Sequence, residues 1–540
     1  MKASKLQRLL LMFAVFVLPI SVLPMSTLMQ AQTYTDIHDL TGTDGCCQFY
    51  PGMLVQGRDG NIYGGNASGG TLNGGNIFKI SPSGTYTDIY NFDGPHGEFP
   101  AGGISMGTDG NFYGTAYQGG ANHFGVVFKV TPSGTYTDLY DFTNTTDGAY
   151  PRVPPVQAQD GNLYGVTGNG TIAVLYKLTT AGVFSVVIQL AAQSYSPMIL
   201  GSDGNLYGMT LYGGTFNQGT VFQFSPTSKV LKTIFNFHTE GSPHGPLMQG
   251  ADGVLYGTTT WGGTGSGGVV FKLTTAGTYK VLFNFSTTNH ANGATPYSGL
   301  VQGSDKFLYG VTSSGGANNL GVLFKISTTG TGFAVLHDFG TATGDTPYST
   351  PLLHTNGKIY GMASHGGVHV SDGTVYSFDN GLKPFTIPVV RKSAKVGTSI
   401  GMLGQGFHSA TGVLFGAGAG TFTVSNDTYL TAKIVAGATT GLITVQEPSG
   451  NLATLQNFKI SPSISGFTPP NGPVGTQVVI TGVSLSQATA VKFGGVAATA
   501  FTVNSDTQVT ATVPTGAKTG KISVTTPGGT ANSATTFTVN

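Results

Sequence analysis

Short apolar and aromatic runs, separated by clusters of Gly, Asn, Asp, Ser and Thr, make up most of this chain. Within the runs the pattern alternates, as in VVFKV, where Val126, Phe128 and Val130 fall on one face and Lys129 on the other. No stretch carries a sustained 3.6-residue apolar period with caps at both ends, so helices are not expected. The pattern predicts an all-β protein.

One phrase recurs. DGNIYGG, DGNFYGT, DGNLYGV, DGNLYGM, DGVLYGT, DKFLYGV and NGKIYGM place Tyr-Gly pairs at Tyr63, Tyr113, Tyr164, Tyr207, Tyr256, Tyr309 and Tyr360. Successive pairs lie 50, 51, 43, 49, 53 and 51 residues apart. A strand-rich unit of this length is the signature of a propeller blade. Each unit parses into four strands: a short apolar piece such as GLVQG, the Tyr-Gly strand, a strand such as VVFKV, and an outer strand such as TYTDLYDF. The Asp-Gly turn joins the first two, because Asp caps backbone amides and Gly adopts positive φ. Tyrosine is expected to fill space between blades, and the glycine to let backbones crowd toward a central channel. Calcium binding at these turns is disfavoured, since the Asn of Asp203-Gly-Asn205 becomes Val254 and Phe307 in other copies.

The seventh unit reaches VYSF and then lacks its outer strand. A matching segment, TYTDIHDL, stands at Thr33–Leu40. Donation of that strand to the last blade would close the ring and remove a bare sheet edge. The expected propeller spans 33–380 and has seven blades. Beyond Asp379 the period ends and two shorter units follow, at 386–460 and 461–540. KVGTSIGMLGQGF in the first answers PVGTQVVITGVSL in the second, and GLITVQEPSGN answers GKISVTTPGGT. Alternating strands with Gly, Pro and Asn-Asp turns predict two immunoglobulin-like β-sandwich domains without a disulfide.

The blades, with their VFKxxPSGTYTxLYxF wording, resemble the GloVer tandem repeat of exported bacterial proteins. The terminal pair resembles IPT/TIG domains, on Pro469, Gly472, Pro473, Val474, Gly475 and Thr476; the first copy keeps Val396, Gly397 and Thr398 without the prolines. Both resemblances imply β architecture and neither supplies a catalytic set.

Composition narrows the function. The 540 residues hold 24 basic and 23 acidic side chains, a net charge of +1, with only 9% of residues charged. That gives no electrostatic footprint for nucleic acid. Lys2, Lys5 and Arg8 precede the apolar run LLLMFAVFVLPISVLPM, and Ala31 offers a small residue for cleavage, so 1–32 is expected to be a signal peptide. A retained anchor is the rival, but Pro19, Ser21, Pro24 and Ser26 interrupt the run. No later segment is apolar enough to span a bilayer, and the expected location is secreted or in the cell envelope. Cys46 and Cys47 are adjacent, a spacing at which a disulfide staples no loop, and two small loop side chains are expected there.

Candidate chemistry lies in the loops that vary between copies. The loops between blades carry His96, Glu98, His238, Glu240, His244 and His290, and those between second and third strands carry Tyr117, His123, Tyr212, Trp261 and His365. The spacing of His238, Glu240 and His244 matches no metal-ligand pattern, so neither metal nor cofactor is expected. No nucleophile elbow or phosphate-cradling loop occurs. The expected function is a non-catalytic exported binding protein whose propeller loops hold a polysaccharide or a cell-surface protein. Trp261, Tyr117, Tyr212, His123 and His365 are the expected ligand contacts. The competing readings are a polysaccharide lyase or glycosidase, and a structural envelope component. N-terminal sequencing of the exported protein is expected to find a chain beginning near Gln32; recovery of Met1 from the envelope fraction overturns cleavage.

Overall fold

The computed structural model describes residues 32–46, 52–100, 102–168 and 172–540. The expected signal peptide, except Gln32, and Cys47 lie outside the described residues; Cys46 is half-buried, its N–H bonded to the Ser68 carbonyl at 2.8 Å. The described chain is all-β and propeller-type, its only helices two single 3₁₀ turns.

Six four-stranded antiparallel sheets and one six-stranded sheet hold the strands between residues 33 and 379; the six-stranded one adds Glu240–Gly241 and Trp261–Gly262, the latter parallel to Ser266–Leu273. The Tyr-Gly strands, among them Ile62–Asn66, Leu206–Thr210 and Ile359–Ala363, are buried at every position. A strand covered on both faces contacts neighbours on either side, so apolar residues need not alternate with polar ones. In the third strand Val126, Phe128 and Val130 share one core cluster, as the alternation predicts, while Val127 on the opposite face is equally buried in another, so both faces are covered.

The repeated phrase has a local cause. In six copies the tyrosine hydroxyl donates to the turn aspartate four residues earlier, at 2.6–2.9 Å. The same carboxylate accepts the backbone N–H two residues on, as from Asn61 to Asp59 at 3.2 Å. In the seventh copy Asn356 donates to the Tyr360 hydroxyl at 3.0 Å. The glycine after the tyrosine serves a different purpose from the one expected. Gly114 lies opposite Phe128 in the ladder, and a Cβ there would meet the ring at 2.4 Å; Gly64, Gly208, Gly257 and Gly310 face rings in the same way. Room for an aromatic side chain, not crowding of backbones at the channel, fixes this residue. The turn also requires left-handed backbone: Gly60 has φ +76°, and Lys306, which replaces glycine in the sixth copy, is held at φ +69°.

Thr33–Asp39 pairs antiparallel with Thr374–Asp379, filling the outer position of the last sheet. Contacts then pass from sheet to sheet. Outer-strand rings stack at 4.1 Å between Tyr90 and Tyr136, 3.8 Å between Tyr140 and Phe184, and 3.9 Å between Phe283 and Phe333. Tyr34 and His38 of the first strand stack on His337 of the sixth sheet and Tyr86 of the first, at 3.7 and 4.4 Å. Nearer the axis, the Gln56 amide oxygen of the first unit accepts the Thr355 N–H of the last at 3.0 Å. Gln157, Gln249 and Gln302 make the same bond to the preceding unit.

Beyond the last sheet, Ile387–Gln446 and neighbouring strands build one seven-stranded path over a core containing Met402, Phe407, Leu430 and Val445. Two further sheets, holding Ser463–Thr468 and Gly529–Val539, enclose a separate core around Ile480, Phe493 and Phe537.

Two tests follow from the ring contacts. A chain starting at Cys46 lacks the strand that stacks on both neighbours, and is expected to lose cooperative unfolding or to aggregate through the opened edge. A monomeric truncation with unchanged melting overturns that role. The second concerns Asp36 and Asp138, which oppose Tyr376 and Phe128 in the ladder, where other units place Val186, Val281 and Val335. Burial, with Asp39 and Asp141 nearby, pushes both carboxyls up to about 6. A raised folded-state pKa means the native state binds the proton more tightly, so stability declines as pH rises from about 4 through 6. Asp138→Val is therefore expected to stabilise by roughly 1 kcal/mol at pH 8, after discounting for solvent screening, and by less at pH 4. Denaturant midpoints at the two pH values check both sign and trend.

Candidate functional site

Strands that alternate in direction place the Asp-Gly turns at one end of the sheets, and the Gly-Gly loops and inter-unit loops at the other. The turn end is occupied. Thr428 donates to the Arg58 carbonyl at 2.8 Å, Gln405 to Thr355 at 2.9 Å, and Gln159 to Ser393 at 2.8 Å, while Arg58 lies 4.5 Å from the Tyr429 ring centre. The residues after the propeller thus cover the turns of several units.

The loop end carries an arc of aromatic side chains. Each arises one residue after the proline, or Ser194 in the fourth unit, that precedes an inner strand. Reading the units in order, this column is Gly52, Ala101, Arg152, Tyr195, His244, Tyr297 and Tyr348. The Arg152 guanidinium lies 4.1 Å from the Tyr117 ring centre and 4.7 Å from that of Tyr195. Ring centres are 6.4 Å apart between Tyr195 and His244, 4.6 Å between His244 and Tyr297, and 5.0 Å between Tyr297 and Tyr348. The inner strands bring these side chains together because adjacent units crowd here: a Cβ on Gly245 would meet the Gly299 nitrogen at 2.2 Å. In the first unit the column residue is Gly52, which adds no side chain to the arc.

Polarity within the arc is specific. His244 Nδ1 donates to the Ser242 carbonyl at 2.9 Å, which leaves Nε2 as an acceptor. Burial pulls this imidazole down to about 4, so it is neutral at physiological pH. Burial raises the Tyr297 and Tyr348 phenols, with Tyr212 adding to the first and Tyr297 to the second. Neither phenol donates a hydrogen bond to the described residues. The arc therefore presents aromatic faces, with the Tyr297, Tyr348 and His244 polar tips available to a ligand, while the buried Arg152 guanidinium packs between Tyr117 and Tyr195.

The five residues expected from the sequence separate into three groups. Tyr117 stands beside Arg152 and joins the arc. Tyr212 and Trp261 occupy the position before a Gly-Gly pair, 51% and 52% exposed, on the rim. Trp261 belongs to a short strand whose register sets it opposite Gly241, and it follows Thr260, whose hydroxyl meets His244 Nδ1 at 2.9 Å. His365 shares the rim column and has Nδ1 3.9 Å from Asp345. His123 is exposed, at φ +64°, and joins neither group. Exposed Phe216, packed on His238 at 4.2 Å, extends the rim and was missed in the sequence. His238, Glu240 and His244 are not gathered together: among the described residues no three His, Cys, Asp or Glu side chains form a metal cage.

Sequence reasoning also missed the arc, apart from Tyr117 and the mention of His244. Its signal was available in the column after the proline, which changes from Gly and Ala to large rings while the flanking residues repeat.

Comparison with known proteins gives the following. No curated protein matches the chain. Among solved structures, a surface glycan-binding protein from Prevotella bryantii is 20% identical, covering 28% of this chain and 41% of its own, with a TM-score of 0.23. A protein from a xyloglucan utilization locus in Bacteroides uniformis is 21% identical over 28% of this chain and 48% of its own, with a TM-score of 0.15. The chain thus spans less than half the length of either. An oligogalacturonate lyase from Vibrio parahaemolyticus is 13% identical over 64% of this chain and 93% of its own, with a TM-score of 0.44. The IPT/TIG domain model matches residues 462–539. The Gloeobacter/Verrucomicrobia repeat model matches three times, over 25–198, 193–421 and 286–497. With most of its length so matched, the chain belongs to the Gloeobacter/Verrucomicrobia repeat family.

Proposed function

We propose that this is an exported, non-catalytic binding protein in which a closed seven-bladed propeller holds a polysaccharide against the aromatic arc of its loop face. The two C-terminal immunoglobulin-like sandwiches act as a base and spacer. The observation that carries this reading is the run Arg152, Tyr195, His244, Tyr297 and Tyr348, linked by successive ring contacts across five units. Sugar rings have apolar faces that stack on aromatic side chains and hydroxyl edges that need hydrogen-bond partners. The arc offers both, through the Tyr297 and Tyr348 phenol tips and the His244 Nε2 acceptor. Tyr212 and Trp261 on the rim supply further flat surface for a chain longer than one sugar.

Binding is favoured over turnover by the chemistry of the arc. Glycoside cleavage requires two carboxyl groups flanking the scissile bond, and no Asp or Glu belongs to the column that forms the arc. A histidine held neutral down to about pH 4 is an acceptor and a poor general acid near neutrality.

The test is a polysaccharide panel probed with the mature protein, followed by titration and product analysis. Tyr297→Ala and Trp261→Ala are each expected to weaken the best polysaccharide roughly tenfold, about 1.4 kcal/mol. Trp261→Ala should leave the melting temperature unchanged, because its side chain is half exposed. Affinity is expected to stay level between pH 5 and 8. Released oligosaccharide product overturns the non-catalytic assignment; full affinity in both variants overturns the site.

A further inference from the structure

Along the axis between the arc and the residues that follow the propeller, the inner strands enclose a chamber of about 440 Å³, with a second of about 270 Å³ that shares part of its lining. The first is lined by residues from all seven inner strands, including Met53, Met106, Met198, Met248 and Leu352. Its floor is the segment leaving the propeller, Ile387 to Val390, together with Leu403 and Gln456. The second lies between Leu352 and Leu353 on the propeller side and Phe385, Leu455 and Phe458 on the other. The first volume is within the range of about 300–1,000 Å³ typical of small-molecule sites.

Lys392 is common to both linings and is the only ionisable side chain in either. Its ammonium has no ion-pair or hydrogen-bond partner among the described residues. Lys392 is half-buried, and partial loss of water around an unpaired ammonium is unfavourable. The surroundings hold its pKa below the usual lysine range through desolvation. The walls offer aliphatic and methionine side chains, which adapt to irregular apolar shapes. Nearby polar groups are already engaged: Gln456 donates to the Gln249 carbonyl, and the Gln249 side chain bonds to Ser202 and Gly253.

We propose that the chamber binds an aliphatic carboxylate, its chain among the methionine and leucine side chains of the inner strands and its carboxylate paired with Lys392. The apolar wall accounts for the chain, and the lone cation for the head. A neutral lipid of the same length would leave the ammonium unpaired, so the site discriminates by charge as well as by length. This site is separate from the arc and does not depend on polysaccharide binding.

The test uses the full mature chain and the fluorescent probe 11-(dansylamino)undecanoic acid, displaced by dodecanoate or by dodecanol. Wild-type protein is expected to bind the probe saturably and to prefer dodecanoate by at least tenfold. Lys392→Met should abolish that preference while leaving dodecanol displacement in place, and Lys392→Arg should retain it. Leu352→Trp, which fills the chamber, should suppress both ligands and leave polysaccharide binding intact. Absence of saturable probe binding in the wild type overturns the proposal. So does equal affinity for dodecanoate and dodecanol, or probe binding unaffected by Leu352→Trp. If Lys392→Met does not fold, the Arg and Trp variants decide the matter by the same comparisons.

Discussion

Leaving a polar atom unsatisfied in a strand buried on both faces is costly, and that constraint organises much of this protein. The Tyr-Gly strand of each unit is enclosed by neighbouring sheets, so its tyrosine hydroxyl needs a partner within reach. The turn aspartate four residues earlier supplies it. Because the same carboxylate closes the turn, replacing it with an apolar residue would strand a buried hydroxyl and release the turn together. The glycine that follows is fixed by a second demand, since the opposing aromatic ring occupies the space of its missing Cβ. Together these requirements explain why the phrase repeats while the loops beyond it vary.

Substitutions within the repeat show which parts are negotiable. Asn356 replaces aspartate in the last unit and still meets the tyrosine, as a donor instead of an acceptor. Lys306 replaces glycine and retains the left-handed backbone, a conformation that costs an ordinary residue roughly 1–2 kcal/mol. The sixth unit tolerates that cost because the Asp305–Tyr309 bond, at 2.7 Å, is kept. The left-handed turn and a partner for the hydroxyl are thus both kept in the sixth and seventh units.

The architecture was legible in the sequence for the same reason. A rule imposed at every unit writes itself at every unit, and the displaced TYTDIHDL strand is visible as a gap at one end matched by a surplus at the other. The arc and its rim were legible only in part. Trp261 and Tyr212 announce themselves as large rings in glycine-rich loops. Tyr195, Tyr297 and Tyr348 sit instead beside prolines and serines in text that reads as strand-leading loop, and their contacts cross unit boundaries about fifty residues apart. Only aligning the units exposes the column. The chamber around Lys392 was not legible at all, since it depends on where the chain travels after leaving the propeller.

That last point bears on how the two ends of the axis are used. Antiparallel sheets present turns at one end and loops at the other, and the turns are constrained by the Asp–Tyr bond while the loops are not. A covering domain needs a surface whose shape is the same in every unit, which the turns provide: Thr428, Gln405 and Gln159 or its partner Ser393 bond to turns of three different units. A ligand site needs residues that differ from unit to unit, which the loops provide, from Gly52 to Tyr348 around the column. Outer-strand tyrosines do bond to these loops, but mostly through backbone carbonyls, as Tyr34 to Thr343 and Tyr136 to His96, which leaves the loop side chains free to vary. The repeat therefore separates its two tasks along one axis, with the invariant end docking a domain and the variable end free to acquire a partner.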